Sequence, residues 1–267
     1  MIDLHCHILP GLDDGAKTLD EALGMAGIAA EDGIETMVAT PHLFRGENPR
    51  DFGAVEEKRQ ELREALAARQ IKLEVAPGAE VHICHNLVEE LRMNRSRLVV
   101  NEGRYMFVEF PPDHIYRGAQ RLFFELMSAG VTPVIAHPER NSVFGRHPEL
   151  LYDLVAQGAL VQSNSGSLTG IHGSQAGGRV LRFMELNLVH FIASDGHNAR
   201  SVPPRLAEAA RKTALLAGKD VSDALVLHNP RAVLNDQEIP YLPSPKDPRK
   251  SKRSFSIRIP KFLRAMK

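Results

Sequence analysis

The imidazoles of His5 and His7 and the carboxylates of Asp13 and Asp14 stand within the first fifteen residues, MIDLHCHILPGLDDG, and their spacing suits a metal ion. Ile2, Leu4 and their neighbours read as a short buried strand that runs into His5-Cys6-His7. Residues two apart on a strand point to one face, so His5 and His7 project together while Cys6 points the other way. After Pro10-Gly11 turns the chain, Asp13-Asp14-Gly15 returns carboxylates to the same rim. The stretch reads as half of a metal site.

The other half is spread along the chain. Thr40-Pro41-His42, Glu80, Glu109, His137-Pro138-Glu139-Arg140 and Asp195-Gly196-His197 each close or follow an apolar run. An isolated histidine is more often a surface or hydrogen-bonded core residue than a ligand. That plainer reading is kept for His82, His85, His114, His147, His172, His190 and His228, and Cys6 reads as a small buried hydrophobe. Taken together, six of seven expected strands end in a carboxylate or an imidazole. Acids crowded on one rim repel unless cations lie between them or some are protonated. Mixed nitrogen and oxygen donors, without a thiolate cluster, favour Mn, Fe or Zn over a structural Cys-type site. At ~4 to 6 ligands per ion, this donor supply fits two or three divalent ions. Such ions acidify water, orient a phosphate and neutralise charge on its attacking and leaving oxygens. Arg140 and Arg45, just past His137 and His42, could add planar two-pronged phosphate contacts. The plainer reading of either arginine is a solvated loop charge.

To converge, these residues need elements that place them. Thr18 to Asp32 reads as a helix capped by Thr18 and stopped by Gly33. Further helices are expected over 50–69, 118–129, 148–157, 176–186, 205–216 and around 223–226. Strands are expected over 34–40, 71–81 with Pro77-Gly78 as a point of interruption, 105–110, 131–136, 159–163 and 188–194. Strands alternating with helices call for a parallel sheet or barrel, and a (β/α) barrel carries its active site at strand C-termini.

Composition sets outer bounds. The 267 residues are 43% hydrophobic and 25% charged, ordinary for one globular α/β domain or two small ones. Two cysteines argue against a disulfide framework and for a cytoplasmic setting, and the N-terminus shows no secretory signal. Net charge is zero, but from Tyr241 onward nine Lys and Arg face a single Asp, so a body of −8 carries a tail of +8. An acidic body argues against a nucleic-acid partner.

In order and spacing, His5-x-His7, Thr40-Pro41-His42, Gly78-x-Glu80, Val108-Glu109-Phe110, Ala136-His137-Pro138-Glu139-Arg140 and Ser194-Asp195-x-His197-Asn198 resemble the polymerase and histidinol phosphatase (PHP) superfamily. The particular likeness is to its bacterial protein-tyrosine phosphatases of capsule and exopolysaccharide systems, and it covers about residues 1–235. Asp13-Asp14-Gly15 and Glu109, where many superfamily members use histidine, point to that branch. The resemblance implies a distorted (β/α)7 TIM-like barrel over residues 1–242, followed by a basic, partly apolar tail over 243–267. It also implies three divalent ions, commonly Mn2+. His5, His7, Glu80 and Asp195 would hold one; Glu80 would bridge to a second, held also by Glu109 and His137. Asp14, His42 and His197 would hold the third, with Asp13 the alternative to Asp14, and Arg140 would grip phosphate. One departure stands out: relatives place another arginine directly before Pro-Pro, whereas here Val202 precedes Pro203-Pro204. Arg200 or Arg205 must substitute, or the contact is missing.

The expected activity is therefore metal-dependent hydrolysis of phosphotyrosine in a protein, such as a bacterial tyrosine kinase at the inner face of the membrane. His197 or His42 would help protonate the leaving phenolate. The Cys-x5-Arg loop of thiol phosphatases is absent, since Leu12 and Glu90 stand six residues after Cys6 and Cys84. The rivals are a histidinol-phosphate-type phosphatase, which Glu109 disfavours, and an amidohydrolase, which usually relies on a modified lysine near the fourth strand. A third is a docking protein whose tail meets a membrane surface or the acidic body of a neighbouring subunit in a homo-oligomer.

Overall fold

Helix α1 (Leu19–Glu31) begins where the sequence places its cap: Thr18 Oγ1 accepts the Glu21 N–H at 3.2 Å, and Glu21 reaches back to the Lys17 N–H at 2.9 Å. It joins β1 (Ile2–Cys6) to β2 (Thr36–Ala39), and β3 (His42–Leu43) follows directly. The computed structural model describes residues 1–44 and 52–250; Arg45 and residues 251–267 of the expected tail lie outside the described residues. Next come α2 (Phe52–Ala68), β4 (Glu74–Pro77), β5 (Glu80–His82), α3 (Leu87–Leu98), β6 (Tyr105–Glu109), α4 (Ala119–Ser128) and β7 (Thr132–Ala136). Then follow α5 (Ser142–Arg146), α6 (Pro148–Ala156), β8 (Leu160–Asn164), α7 (Ser165–Thr169), α8 (Gly173–Glu185) and β9 (Phe191–Ala193). Helices α9 (Ala207–Ala217), α10 (Lys219–Asp223) and α11 (Asn229–Leu234) finish the body.

Every strand pairing is parallel, in the orders β1-β2-β4 and β3-β5-β6-β7-β8-β9. Because β2 and β3 are pieces of one stave, and β4 and β5 of another, the two sheets are one wall broken at Thr40-Pro41 and Gly78-Ala79. The wall closes where β1 meets β9. Cys6 bridges Gly196, the Asp195 N–H donates to His5 O at 2.9 Å, and the His7 N–H donates to Gly196 O at 2.9 Å. Seven staves thus form a distorted barrel.

Alternation along the staves divides the core. Ile2, Leu4, Val38, Phe107, Val134, Leu160 and Phe191 fill the barrel, with Val233 and Ile239 beneath them. Met37, Val75, Met106, Val108, Ile135, Val161 and Ile192 belong to the larger cluster that packs against the helices. The pairing of β1 slips register between Asp3 and Cys6, an irregularity that turns His5 and His7 toward the interior after Ile2 and Leu4 have already faced it.

The expected strand over 71–81 is two strands, divided at the Pro77-Gly78 step. A Cβ on Gly78 would sit 2.5 Å from Val38 Cγ1, so only glycine lets the two staves approach there. The stretch after Ala39 likewise resumes as β3, which was not expected. Helix α3 was also missed: its buried Leu87, Leu91 and Leu98 are diluted by charged neighbours, and the helix kinks at Asn94. Residues 243–250 lie against the body. Lys246 N–H donates to Leu186 O at 2.8 Å, and Arg249 bonds Asp153 at 2.8 Å while stacking over Tyr152.

Candidate metal centre

At the C-terminal ends of the staves, His5, His7, Asp14, His42, Glu80, Glu109, His137, Asp195 and His197 converge. Four overlapping groups have donor atoms mutually within 4.8 Å: His7 with Asp14, His42 and His197; His5 with His7 and Glu80; His5 with His137 and Asp195; His42 with Glu80 and Glu109. Backbone strain helps to aim two of them, since His137 and Asp195 leave their strands with φ of 29° and 51°, in the left-handed region. Gly15 lets the Asp13-Asp14 loop lie on His7, because a Cβ there would fall 2.0 Å from His7 O.

The donor chemistry fits divalent ions. Three imidazoles have Nδ1 engaged: His5 with Gln162 Oε1 at 3.1 Å, His7 with Asp13 Oδ2 at 2.8 Å and His197 with Asp195 O at 2.7 Å. An N–H at each Nδ1 leaves each Nε2 lone pair for the cluster, the arrangement that metal-ligating histidines use. Glu80 Oε2 and Asp195 Oδ1 are fully buried and accept no well-aligned hydrogen bond. Yet Nε2 of His5 and of His7 lies 3.3–3.5 Å from both oxygens, and His42 Nδ1 lies 2.9 Å from Glu80 Oε2. Nitrogen and oxygen donors crowded this closely, several of them poorly aligned for hydrogen bonds, are the set that a divalent cation would take. The other oxygen of Asp195 is held by Arg140 Nη1 at 2.8 Å and Asn164 Nδ2 at 2.6 Å.

Charge tells the same story. Despite burial, which opposes it, ion pairing with His5 and His137 holds the Glu80 carboxyl well below its usual range, and His137, His5 and His7 do the same for Asp195. Bonds from His197 and His42 lower Asp14. In return, and again against burial, Asp14 and Glu80 lift His42 to about 9, and Asp13, Asp195 and Glu80 raise His7. Imidazolium protons balance the acids here, and metal ions would displace those protons.

Asp13, the alternative ligand, stands behind the cluster: its Oδ2 also accepts the His42 N–H at 3.0 Å. His137 Nε2 is 2.8 Å from Glu80 Oε1, and a His137 ring nitrogen also lies within 4.8 Å of donor atoms on His5 and Asp195. Arg205 is turned to Asp32, 3.8 Å away, and Arg200 lines a groove beside Asp14 and His197. Sequence reasoning missed Gln162 and Asn164, although their alternation with Leu160 on β8 puts all three on one face. It also passed over His82, two residues beyond Glu80, whose Nδ1 lies 3.3 Å from Glu109 Oε2. His190, read as a core histidine, is fully buried.

Residues 1–235 match the family model described as capsular polysaccharide synthesis, CpsB/CapC. The chain belongs to the CpsB/CapC family. Tyrosine-protein phosphatase YwqE of Bacillus subtilis is 45% identical over 201 residues, 75% of this chain and 79% of YwqE. Tyrosine-protein phosphatase CpsB of Streptococcus pneumoniae is 30% identical over 246 residues, 90% of this chain and 100% of CpsB. A chain from the crystal structures of YwqE and S. pneumoniae CpsB, described as unique metal-dependent tyrosine phosphatases, superposes with a TM-score of 0.89. That match is 40% identical and covers 95% of this chain and 100% of that one. The Lactococcus lactis histidinol phosphate phosphatase superposes at a TM-score of 0.51 with 15% identity, covering 82% of this chain and 93% of that one, and so shares the fold.

Proposed function

We propose that this chain is a metal-dependent protein-tyrosine phosphatase. One observation carries the reading: in a member of the CpsB/CapC family, nine nitrogen and oxygen ligands converge on one barrel rim beside Arg140. His5, His7, Glu80 and Asp195 would hold one divalent ion, Glu80, Glu109 and His137 a second, and Asp14, His42 and His197 a third, with Mn2+ the proposed metal. When bound, the ions supply Lewis acidity, which lowers the pKa of water and offsets phosphate charge.

The chain's own residues do the rest. Arg140 spends one Nη on Asp195 and keeps its side chain 44% exposed, so the remainder of its fork serves a phosphate at the rim. Gln162, Asn164 and Asp13 fix the ligands from behind. His197 and His42, both paired with the half-exposed Asp14, would serve as ligands on the side where the leaving phenolate departs, and its pKa of about 10 demands little help from an acid. Cys6 takes no part. Its Sγ donates to Gly196 O, and burial pushes the thiol up, away from thiolate nucleophilicity.

The substrate class is a phosphotyrosyl protein, and we propose a bacterial tyrosine kinase of capsule or exopolysaccharide synthesis, met in the cytoplasm at the inner membrane face. Among the described residues no helix is long and apolar enough to cross a membrane. The surface contact would come instead from the basic tail, and in a homo-oligomer the same charges would meet the acidic body of a neighbouring subunit. Loss of liposome flotation in a chain ending at Leu242 tests the tail; unchanged flotation discards the idea.

The activity is tested with Mn2+-loaded protein on phosphotyrosyl peptide and histidinol phosphate in parallel. His137→Ala is expected to stay folded and lose at least about a hundredfold in peptide turnover. Full turnover after chelation, or preference for histidinol phosphate, defeats the reading.

A further inference from the structure

A groove of about 780 Å³ runs outward from Asp14 and His197, between the start of α1 and residues 198–201. It is larger than one phosphotyrosine side chain needs and lies within the range of sites that enclose bigger ligands. Its charged lining holds three acids, Asp14, Asp20 and Glu21, and two cations, Lys17 and Arg200; Asp20 points to solvent with Arg69 3.9 Å away, and most of the rest is engaged. Lys17 Nζ holds Asp13 O at 3.1 Å, Glu21 accepts the Lys17 N–H, and Asp14 faces His42 and His197. Arg200 differs: its side chain is exposed and its guanidinium makes no hydrogen bond or ion pair among the described residues. Its backbone is nevertheless fixed, because Asn198 Oδ1 accepts the N–H groups of Arg200, Ser201 and Val202 at 2.9, 2.7 and 3.3 Å. A rigid turn presents an uncommitted planar cation to a groove that begins at the candidate centre.

We propose that Arg200 is a specificity-determining residue that receives the carboxylate of an acidic residue flanking the phosphotyrosine. The inference rests on the phosphatase reading and narrows its substrates to acidic phosphotyrosyl peptides. Arg140 already stands at the ligand cluster, and Arg205 is drawn away to Asp32, so Arg200 alone of the three faces the groove. A carboxylate seated there would make a charge-assisted, two-pronged contact with the guanidinium.

The test compares full-length Mn2+-loaded wild type and Arg200→Gln on p-nitrophenyl phosphate, a Glu-flanked phosphotyrosyl peptide and its Ala-flanked counterpart. The variant is expected to raise KM about tenfold for the Glu-flanked peptide, with the other two substrates changed by less than about twofold. Arg200→Lys should recover part of the loss. Equal losses on all three substrates would mean that the guanidinium acts on the transferred phosphate, and no loss would mean that it touches no substrate; either overturns the proposal. A wild type inert on every substrate would instead bring down the phosphatase reading itself, and this inference with it.

Discussion

Asp13 grips His7 Nδ1 at 2.8 Å and the His42 backbone at 3.0 Å with one oxygen, so a single carboxylate orients two of the candidate ligands. Burial opposes its charge, but the His7 bond prevails and its carboxyl falls to about 2. Asp13→Ala should therefore weaken Mn2+ binding about 10- to 100-fold in a direct titration, though Asp13 belongs to none of the ligating groups. His190 tests a different balance. Its Nδ1 accepts the Val161 N–H at 3.0 Å, and burial depresses the imidazole from 6.5 to about 4. The unfolded chain takes up that proton more readily, so the stabilisation is complete above pH ~6.5 and drains away toward pH 4, by about 3 kcal/mol. Urea unfolding at pH 7 and 4.5 should show wild type losing about 2 kcal/mol more than His190→Asn. Comparing against the variant also separates His190 from Asp3, whose carboxyl burial lifts to about 6.

Among the elements, α11 matters through one buried amide. Asn229 Nδ2 donates to His190 O at 3.0 Å and Tyr241 O at 2.9 Å, while its Oδ1 accepts the Tyr241 N–H at 2.9 Å. One side chain thus ties the end of the body to the loop that enters β9. Truncation would strand several buried backbone groups, so Asn229→Ala should cost roughly 2–4 kcal/mol. In a melt that appears as a Tm drop of roughly 5–15 °C. A drop under a degree would show that the segment holds on by other contacts.

Across the whole molecule, stability and metal binding are one quantity. Among the described residues, Glu80 and Asp195, both nearly inaccessible, are balanced by imidazolium protons and Arg140. Ions that bind the folded barrel and not the open chain must raise its stability, by about 2.7 kcal/mol at a hundredfold excess over Kd. Mn2+ should therefore lift Tm by roughly 5–10 °C, and a chelator should reverse it. A Tm indifferent to Mn2+ would refute a metal centre built from these residues.

Legibility tracked the range of the forces involved. Thr18, Gly33 and the alternation in β6 are local signals, and the corresponding elements stand within a residue or two of their expected places. Helix α3 was hidden because tertiary burial of three leucines outweighs a polar, kinked sequence. Gln162 and Asn164 were overlooked because amides behind a ligand leave no mark until the ligand's position is known.

What the residues fixed by themselves was the supply of donors and their phase: imidazoles and carboxylates at the ends of apolar runs, in a period that keeps His5 with His7. Chain-local sterics suffice for that. The fold alone decided which of them meet. Closure of β1 on β9 brings His5 within 3.5 Å of Asp195 across nearly the whole length of the body. The same packing sent Arg205 to Asp32 and left Arg200 at the groove. Those pairings depend on how a wall of seven staves twists shut, a sum over long-range contacts that no short window of sequence contains.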